Sequence, residues 1–153
     1  MEASASILIE KPAADVFEFL ADVANMPQWV SGVLTARFES GAAAPGATFR
    51  VAYHRDWRRE DVELKVTKYE PPRSIAMETV RGPFTFEGHF ELEEDAGATR
   101  LTNYVEAGAD SLASQIAMTV FGSLLRRGMA RRLQRELESL RAAMLGGAVR
   151  SDS

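Results

Sequence analysis

Residues able to do chemistry are sparse in this chain. It has two histidines, His54 and His89, and no cysteine. Without Cys there is no disulfide, no thiolate metal site and no thiol nucleophile. A metal centre draws several His, Cys or carboxylate side chains to one point. Both histidines fall on strand positions that alternate away from the apolar residues, so neither a metal ion nor a Ser-His-Asp arrangement is expected. A Gly-x-Ser-x-Gly elbow is absent. Gly41 to Thr48 has the glycine spacing of a phosphate-binding loop, but lacks the lysine before Thr48 and joins two strands instead of opening a helix. It reads as a hairpin loop, and no cofactor is expected. The remaining candidates are polar residues on inward strand or helix positions, because burial demands that they find partners. Arg58 and Glu60 share the parity of Val62, and Thr79, Asn103 and Gln115 also take inward positions. An inward Glu60 is a candidate general base, or else an ion-pair partner of Arg58. Asn103 is a candidate hydrogen-bond partner for a bound carbonyl.

These residues are positioned by a simple succession of elements. Residues 3 to 10 alternate as an opening strand, which Pro12 ends. Val16, Phe17 and Leu20 then recur at helical spacing over Ala13 to Asp22, and a second short helix is expected from about Val23 to Trp29, with Pro27 near its end. From Val33 to Gly108 the pattern is strand and turn. Phe49, Val51 and Tyr53 alternate against polar neighbours, as do Val62, Leu64 and Val66, then Ile75, Met77 and Thr79, then Phe84 to Leu92, and finally Leu101, Asn103 and Val105. Such a run predicts an antiparallel meander with one wet face. After Gly108, Met118, Phe121, Leu125, Met129, Leu133, Leu137, Leu140 and Met144 form the seam of one long helix, with Gly146-Gly147 expected to stop it. One domain over 1–147 and a flexible tail over 148–153 are predicted.

The balance of charge excludes some partners. With 18 Lys and Arg against 22 Asp and Glu, the net charge is -4. Nucleic-acid binding, which rests on cations meeting phosphates, is not expected. No apolar run approaches a membrane span and no basic leader precedes an apolar stretch, so a cytoplasmic location is expected. Arg126, Arg127, Arg131, Arg132, Arg135 and Arg141 load the long helix with positive charge, partly balanced by Glu136 and Glu138. They read as a solvated face. Peripheral contact with an anionic membrane or an acidic partner is a lesser alternative, and the protein is expected to be a monomer or homodimer.

A strongly twisted antiparallel sheet of this size has one apolar face to cover, and only the last helix is long enough to cross it. Four motifs, in order, bear on the result. Ile9 to Asp22, with its Ile-x-x-Pro and Val16-Phe17 pair, resembles the opening of START-like proteins of the polyketide cyclase/dehydrase and lipid-transport type. Met26-Pro27-Gln28-Trp29-Val30 resembles the Trp-containing second helix of those proteins, Tyr69-Glu70-Pro71-Pro72-Arg73 their strand-ending turn, and Gly97 to Thr102 their Gly-x-Thr-Arg hairpin. The resemblance spans residues 7 to about 106. It implies an α+β helix-grip (START-like) fold, in which a curved antiparallel sheet of about seven strands wraps a long C-terminal helix, with two short helices after the first strand.

The resemblance also implies a pocket between the concave sheet face and the helix. Side-chain parity would line it with Trp29, Val51, Tyr53, Val62, Met77, Phe84, Phe86, Asn103, Met118 and Phe121. A small apolar or amphipathic ligand held there, such as a lipid, quinone or polyketide, makes the protein a carrier or sensor. An aromatase/cyclase is the rival reading. Gly82-Pro83-Phe84 resembles a segment of those enzymes, whereas Trp57-Arg58-Arg59-Glu60 departs from their aromatic-Ser-Arg strand. A regulatory protein-interaction module using the basic helix face is the third.

Overall fold

The computed structural model describes residues 2–39, 41–55, 57–82, 85–108 and 112–151, without the side chains of 55, 112–123 and 147–151. Seven strands, β1 (Glu2–Ile9), β2 (Val33–Phe38), β3 (Thr48–Arg55), β4 (Arg58–Glu70), β5 (Ser74–Arg81), β6 (Phe86–Asp95) and β7 (Ala98–Ala107), form one sheet. Their order is β1-β7-β6-β5-β4-β3-β2, and every neighbouring pair is antiparallel. Hairpins build six strands in sequence, and the first strand then closes beside the last.

Curvature comes from breaks in register. The β4–β5 pairing shifts between Glu63 and Leu64 and again between Val66 and Lys68, and β2–β3 shifts between Val33 and Thr35. Each extra residue bends its strand and sharpens the local twist, so the sheet curls. The β6–β7 hairpin turns on Ala96 (φ 53°) and Gly97 (φ 81°). Two central residues with positive φ match the turn twist to the strand twist.

Two helical pieces link β1 to β2: helix α1 (Ala13–Ala21) and a 3-10 segment over Val23–Gln28. Pro12 at the N-cap of α1 offers no side-chain cap, but Glu94 of β6 supplies one, its Oε1 accepting from the Ala13 N–H at 2.6 Å. A carboxylate at this end also suits the helix dipole. Thr99, cross-strand partner of Glu94, donates its hydroxyl to the Lys11 carbonyl at 2.7 Å. The connector into α1 is thus tied to the last hairpin at two points. Pro27, which lacks an N–H, sits inside the segment expected as a second α-helix, and the tighter 3-10 form is what results.

Helix α2 runs Leu112–Ser151, forty residues. Its Leu137 and Leu140 join the core made by Ile9, Val16, Phe17, Phe49, Val66, Ile75, Phe90 and Leu101. The helix-grip architecture is therefore present. Two expectations about α2 need correcting. Leu125, expected in the apolar seam, is 41% exposed, and its neighbour Leu124 is 66% exposed. At 1.5 Å per residue the helix is roughly 60 Å long, whereas strands of eight to thirteen residues span about 26–43 Å. The helix overruns the sheet, and its seam is buried only from Leu133 onward among the described side chains. The helix also continues past Gly146 and Gly147 to Ser151. Gly146 does not take the left-handed φ of a helix stop, and no proline follows to enforce one. Of the expected tail, 152 and 153 lie outside the described residues.

On the outer face of the sheet, register sets four carboxylates side by side. Glu2 pairs with Glu106, Glu106 with Glu87, and Glu87 with Glu78, across β1, β7, β6 and β5.

Candidate ligand-binding site

Several of the residues expected to line the pocket lie in the core. Val51, Val62 and Met77 are buried there, and Trp29 reaches it from the end of the 3-10 segment, its ring meeting Phe90 edge-on at 6.0 Å between centroids. Tyr53 and Phe86 are half-buried against the same cluster. Phe84 lies outside the described residues, as do the side chains of Met118, Phe121 and Gln115.

Asn103 has a distinct environment. It is 4% exposed, and its Oδ1 is buried with no hydrogen-bond partner. Its cross-strand neighbours are Ala5 on β1 and Phe90 on β6, neither of which offers a side-chain donor. Phe90 is the ring against which Trp29 stands. One pair along, Val105 faces Gly88, which in turn faces Met77. A Cβ at Gly88 would lie 3.7 Å from Met77 Cγ and 4.0 Å from Phe86 Cε2, ordinary contact distances. The glycine therefore leaves a gap of about one methyl group between those side chains. Leaving a buried acceptor unpaired costs about 1–3 kcal/mol, so Asn103 lowers the stability of the chain until Oδ1 gains a partner.

Glu60 is held differently. Its Oε2 accepts the Tyr53 hydroxyl at 3.1 Å and its Oε1 lies 3.7 Å from Arg58 Nη2. Tyr53 and Glu60 are direct cross-strand partners. Glu60 is thus both the ion-pair partner of Arg58 and one half of a phenol–carboxylate pair at the hairpin end of the concave face. Thr79 exchanges bonds with the Phe86 backbone, donating to its carbonyl at 3.4 Å and accepting from its N–H at 3.2 Å. That closes the neck of β5 and β6.

The histidines lie away from this face. His54 is exposed, and its backbone N–H binds the Gly32 carbonyl. His89 stacks on Tyr104 of the outer face, with Nε2 at 2.5 Å from Glu91 Oε1 and 3.3 Å from Ser74 Oγ. Serine and carboxylate address the same ring nitrogen, so the trio lacks the two-ended relay of a hydrolase.

The basic helix face is not uniformly solvated, and Glu136 is misassigned to it by sequence reasoning. Glu136 is 6% exposed; its Oε2 accepts from the Ser31 N–H at 3.0 Å and from Arg132 Nε at 3.2 Å. Arg132 Nη2 reaches the Ser31 carbonyl at 3.4 Å. The turn following Trp29 is therefore clamped to α2. Gly32, at φ +81°, makes that turn possible. Arg141 pairs with Glu10 at 2.7 Å, while Arg126, Arg127, Arg131 and Arg135 are exposed.

Three surface depressions lie elsewhere. The largest of them, about 1400 Å³, runs between Arg126, Arg127 and Ala130 of α2 and the outer ends of β1, β6 and β7. One of about 630 Å³ separates α1 from the loop after β2, and one of about 240 Å³ lies over β4–β6. Of the expected lining residues whose side chains are described, only Met77 touches any of these three. We place the candidate site at Asn103 nonetheless, since a buried acceptor demands a partner and an open groove with a charged rim does not.

The sequence matches the family model described as polyketide cyclase/dehydrase and lipid transport over residues 1–145. The chain belongs to that family. Among solved structures the family fold recurs in TTHA0849 from Thermus thermophilus, 13% identical, with a TM-score of 0.77 over 96% of this chain and 99% of that one. It recurs in the Zhui aromatase/cyclase from Streptomyces sp. R1128, 16% identical, TM-score 0.66, covering 94% and 95%. A START superfamily protein from Mycobacterium smegmatis is similar at 15% identity and TM-score 0.58, covering 89% and 97%. No curated protein matches the sequence. At these identities the structural likeness establishes the fold and leaves the ligand and any chemistry to be argued from the site. Among the described residues, no helix is long and apolar enough to cross a membrane.

Proposed function

We propose that this family member binds a small apolar or amphipathic molecule, of lipid, quinone or polyketide type, between the concave sheet face and the long helix, as a cytoplasmic carrier or sensor. The observation that carries the reading is Asn103 Oδ1, buried without a partner among the apolar residues Ala5, Phe90 and Trp29. Trp29, Met77 and Phe86 form the near wall, with Val51, Tyr53 and Val62 further along the strands; Phe84, Met118 and Phe121 complete the proposed lining. Native mass spectrometry of the protein purified from its own host tests this. A retained apolar compound is the expected result, and a protein that never retains or binds one refutes the carrier.

The Tyr53–Glu60 pair supports a second reading, an aromatase/cyclase acting on a polyketide-like chain. A carboxylate hydrogen-bonded to a phenol suits a proton relay for aldol closure and dehydration. If that reading holds, Glu60→Gln and Asn103→Ala lower product formation from a linear poly-β-ketone while folding is kept. Unchanged turnover in both removes these residues from the mechanism.

A further inference from the structure

We infer that the ligand presents a hydroxyl donor, as an aromatic alcohol or enol, to Asn103; this rests on the binding reading above and narrows it to a substrate class. A ligand carbonyl, the partner expected from sequence, would take the Nδ2 donor and leave Oδ1 unpaired. The fully buried, unpartnered atom is Oδ1, an acceptor. Only a donor satisfies it. The donor must also come from a molecule compatible with what surrounds the amide. Phe90 lies directly across from Asn103 and carries Trp29 edge-on, and the neighbouring pair is Val105 and Gly88. Gly88, without a Cβ, keeps the sheet surface low between Met77 and Phe86. Rings, a thioether and a glycine floor suit a flat ring system lying against the sheet, with one polar atom at its end. A charged head group has no counter-ion among these neighbours.

The experiment compares 2-naphthol with 2-methoxynaphthalene, which keeps the ring and oxygen but has no donor. Binding is followed by Trp29 fluorescence in a Trp57→Phe background, since Trp57 is 88% exposed and the chain has two tryptophans. The expected result is about tenfold tighter binding of 2-naphthol, the size of one net hydrogen bond. In Asn103→Leu that preference disappears. The ligand-free Asn103→Leu protein should also melt higher than the parent, because an unpaired acceptor has been replaced by an apolar group. Equal binding of the two compounds overturns the donor assignment while leaving the carrier intact. If neither compound binds at saturation, the ring-hydroxyl assignment is overturned, while an apolar compound retained in the native mass spectrum would still uphold the carrier. A clear drop in melting temperature for Asn103→Leu shows that the amide is structural, and likewise overturns the inference. Should that variant fail to fold, the comparison of the two probes in the parent protein still decides.

Discussion

Replacing Glu136 with alanine tests whether α2 holds the Trp29 turn in place. Two bonds to a buried carboxylate are lost, one from the Ser31 N–H at 3.0 Å and one from Arg132 Nε at 3.2 Å. They are not equal. Arg132 has 56% of its side chain exposed, so it rehydrates when released and that ion pair contributes under about 1 kcal/mol. The backbone N–H of Ser31 loses a charged acceptor, and hydrogen bonds to charged groups contribute about 1.5–3 kcal/mol. The expected loss is therefore about 2 kcal/mol. For a chain of 153 residues this corresponds to roughly 4–8 °C in melting temperature. Urea unfolding gives the free energy, and Trp29 fluorescence reports the turn itself. Glu136→Gln, which keeps an acceptor, should lose about half as much, and Arg132→Ala less again. If Arg132→Ala costs as much as Glu136→Ala, or if Glu136→Ala costs under about 0.5 kcal/mol, the capping argument fails.

Three further outcomes follow from the same geometry. Leu137→Ala should cost about 2–5 kcal/mol in chemical unfolding, because Leu137 is fully buried, while Leu125→Ala should stay within about 0.5 kcal/mol. Ala96→Asn should raise the melting temperature by a few degrees, gaining about 0.5–1 kcal/mol, since Asn accepts the positive φ that strains alanine in the β6–β7 turn. At exposed Glu39, the hydrogen bond with Glu63 and then the Glu63 charge raise the carboxyl above its usual range, against the opposing pull of Arg50 and Arg81. The folded protein therefore binds its proton more readily than the unfolded chain, and the associated stability is full below the unfolded value and lost as pH rises through the folded one. Glu39→Gln should accordingly melt higher than the parent at pH 7 and equal to it near pH 4.

The strands were legible because alternation is a direct consequence of one wet and one dry face. Where alternation was obscured, so were the boundaries: β4 extends to Arg58 and Glu70 because pairing on both flanks carries it past its apolar stretch. Asn103 was legible by parity with Leu101, but which of its atoms lacked a partner required the neighbours across the strands. Glu136 was misread as surface because its charged neighbours suggested a solvated face. A signal was present, though, since Leu133, Glu136, Leu137 and Leu140 step at three and four, and that places the carboxylate on the apolar stripe. The exposure of Leu124 and Leu125 had no such signal. It reflects the length of the helix against the length of the strands, a relation between elements distant in sequence.

The row Glu2, Glu106, Glu87 and Glu78 also has a bearing on how copies of the protein meet one another. The outer face of an open sheet is a broad surface on which a second molecule can stack, and like charges placed directly across strands repel each other as well as any matching face. That repulsion reaches only about a Debye length, about 8 Å at physiological ionic strength. Arg126 and Arg127 of α2 line the same groove as Glu2, Glu87 and Glu106 and offset part of that charge within one molecule. Added salt should therefore act mainly between molecules, and a concentrated solution is closest to clustering at high ionic strength.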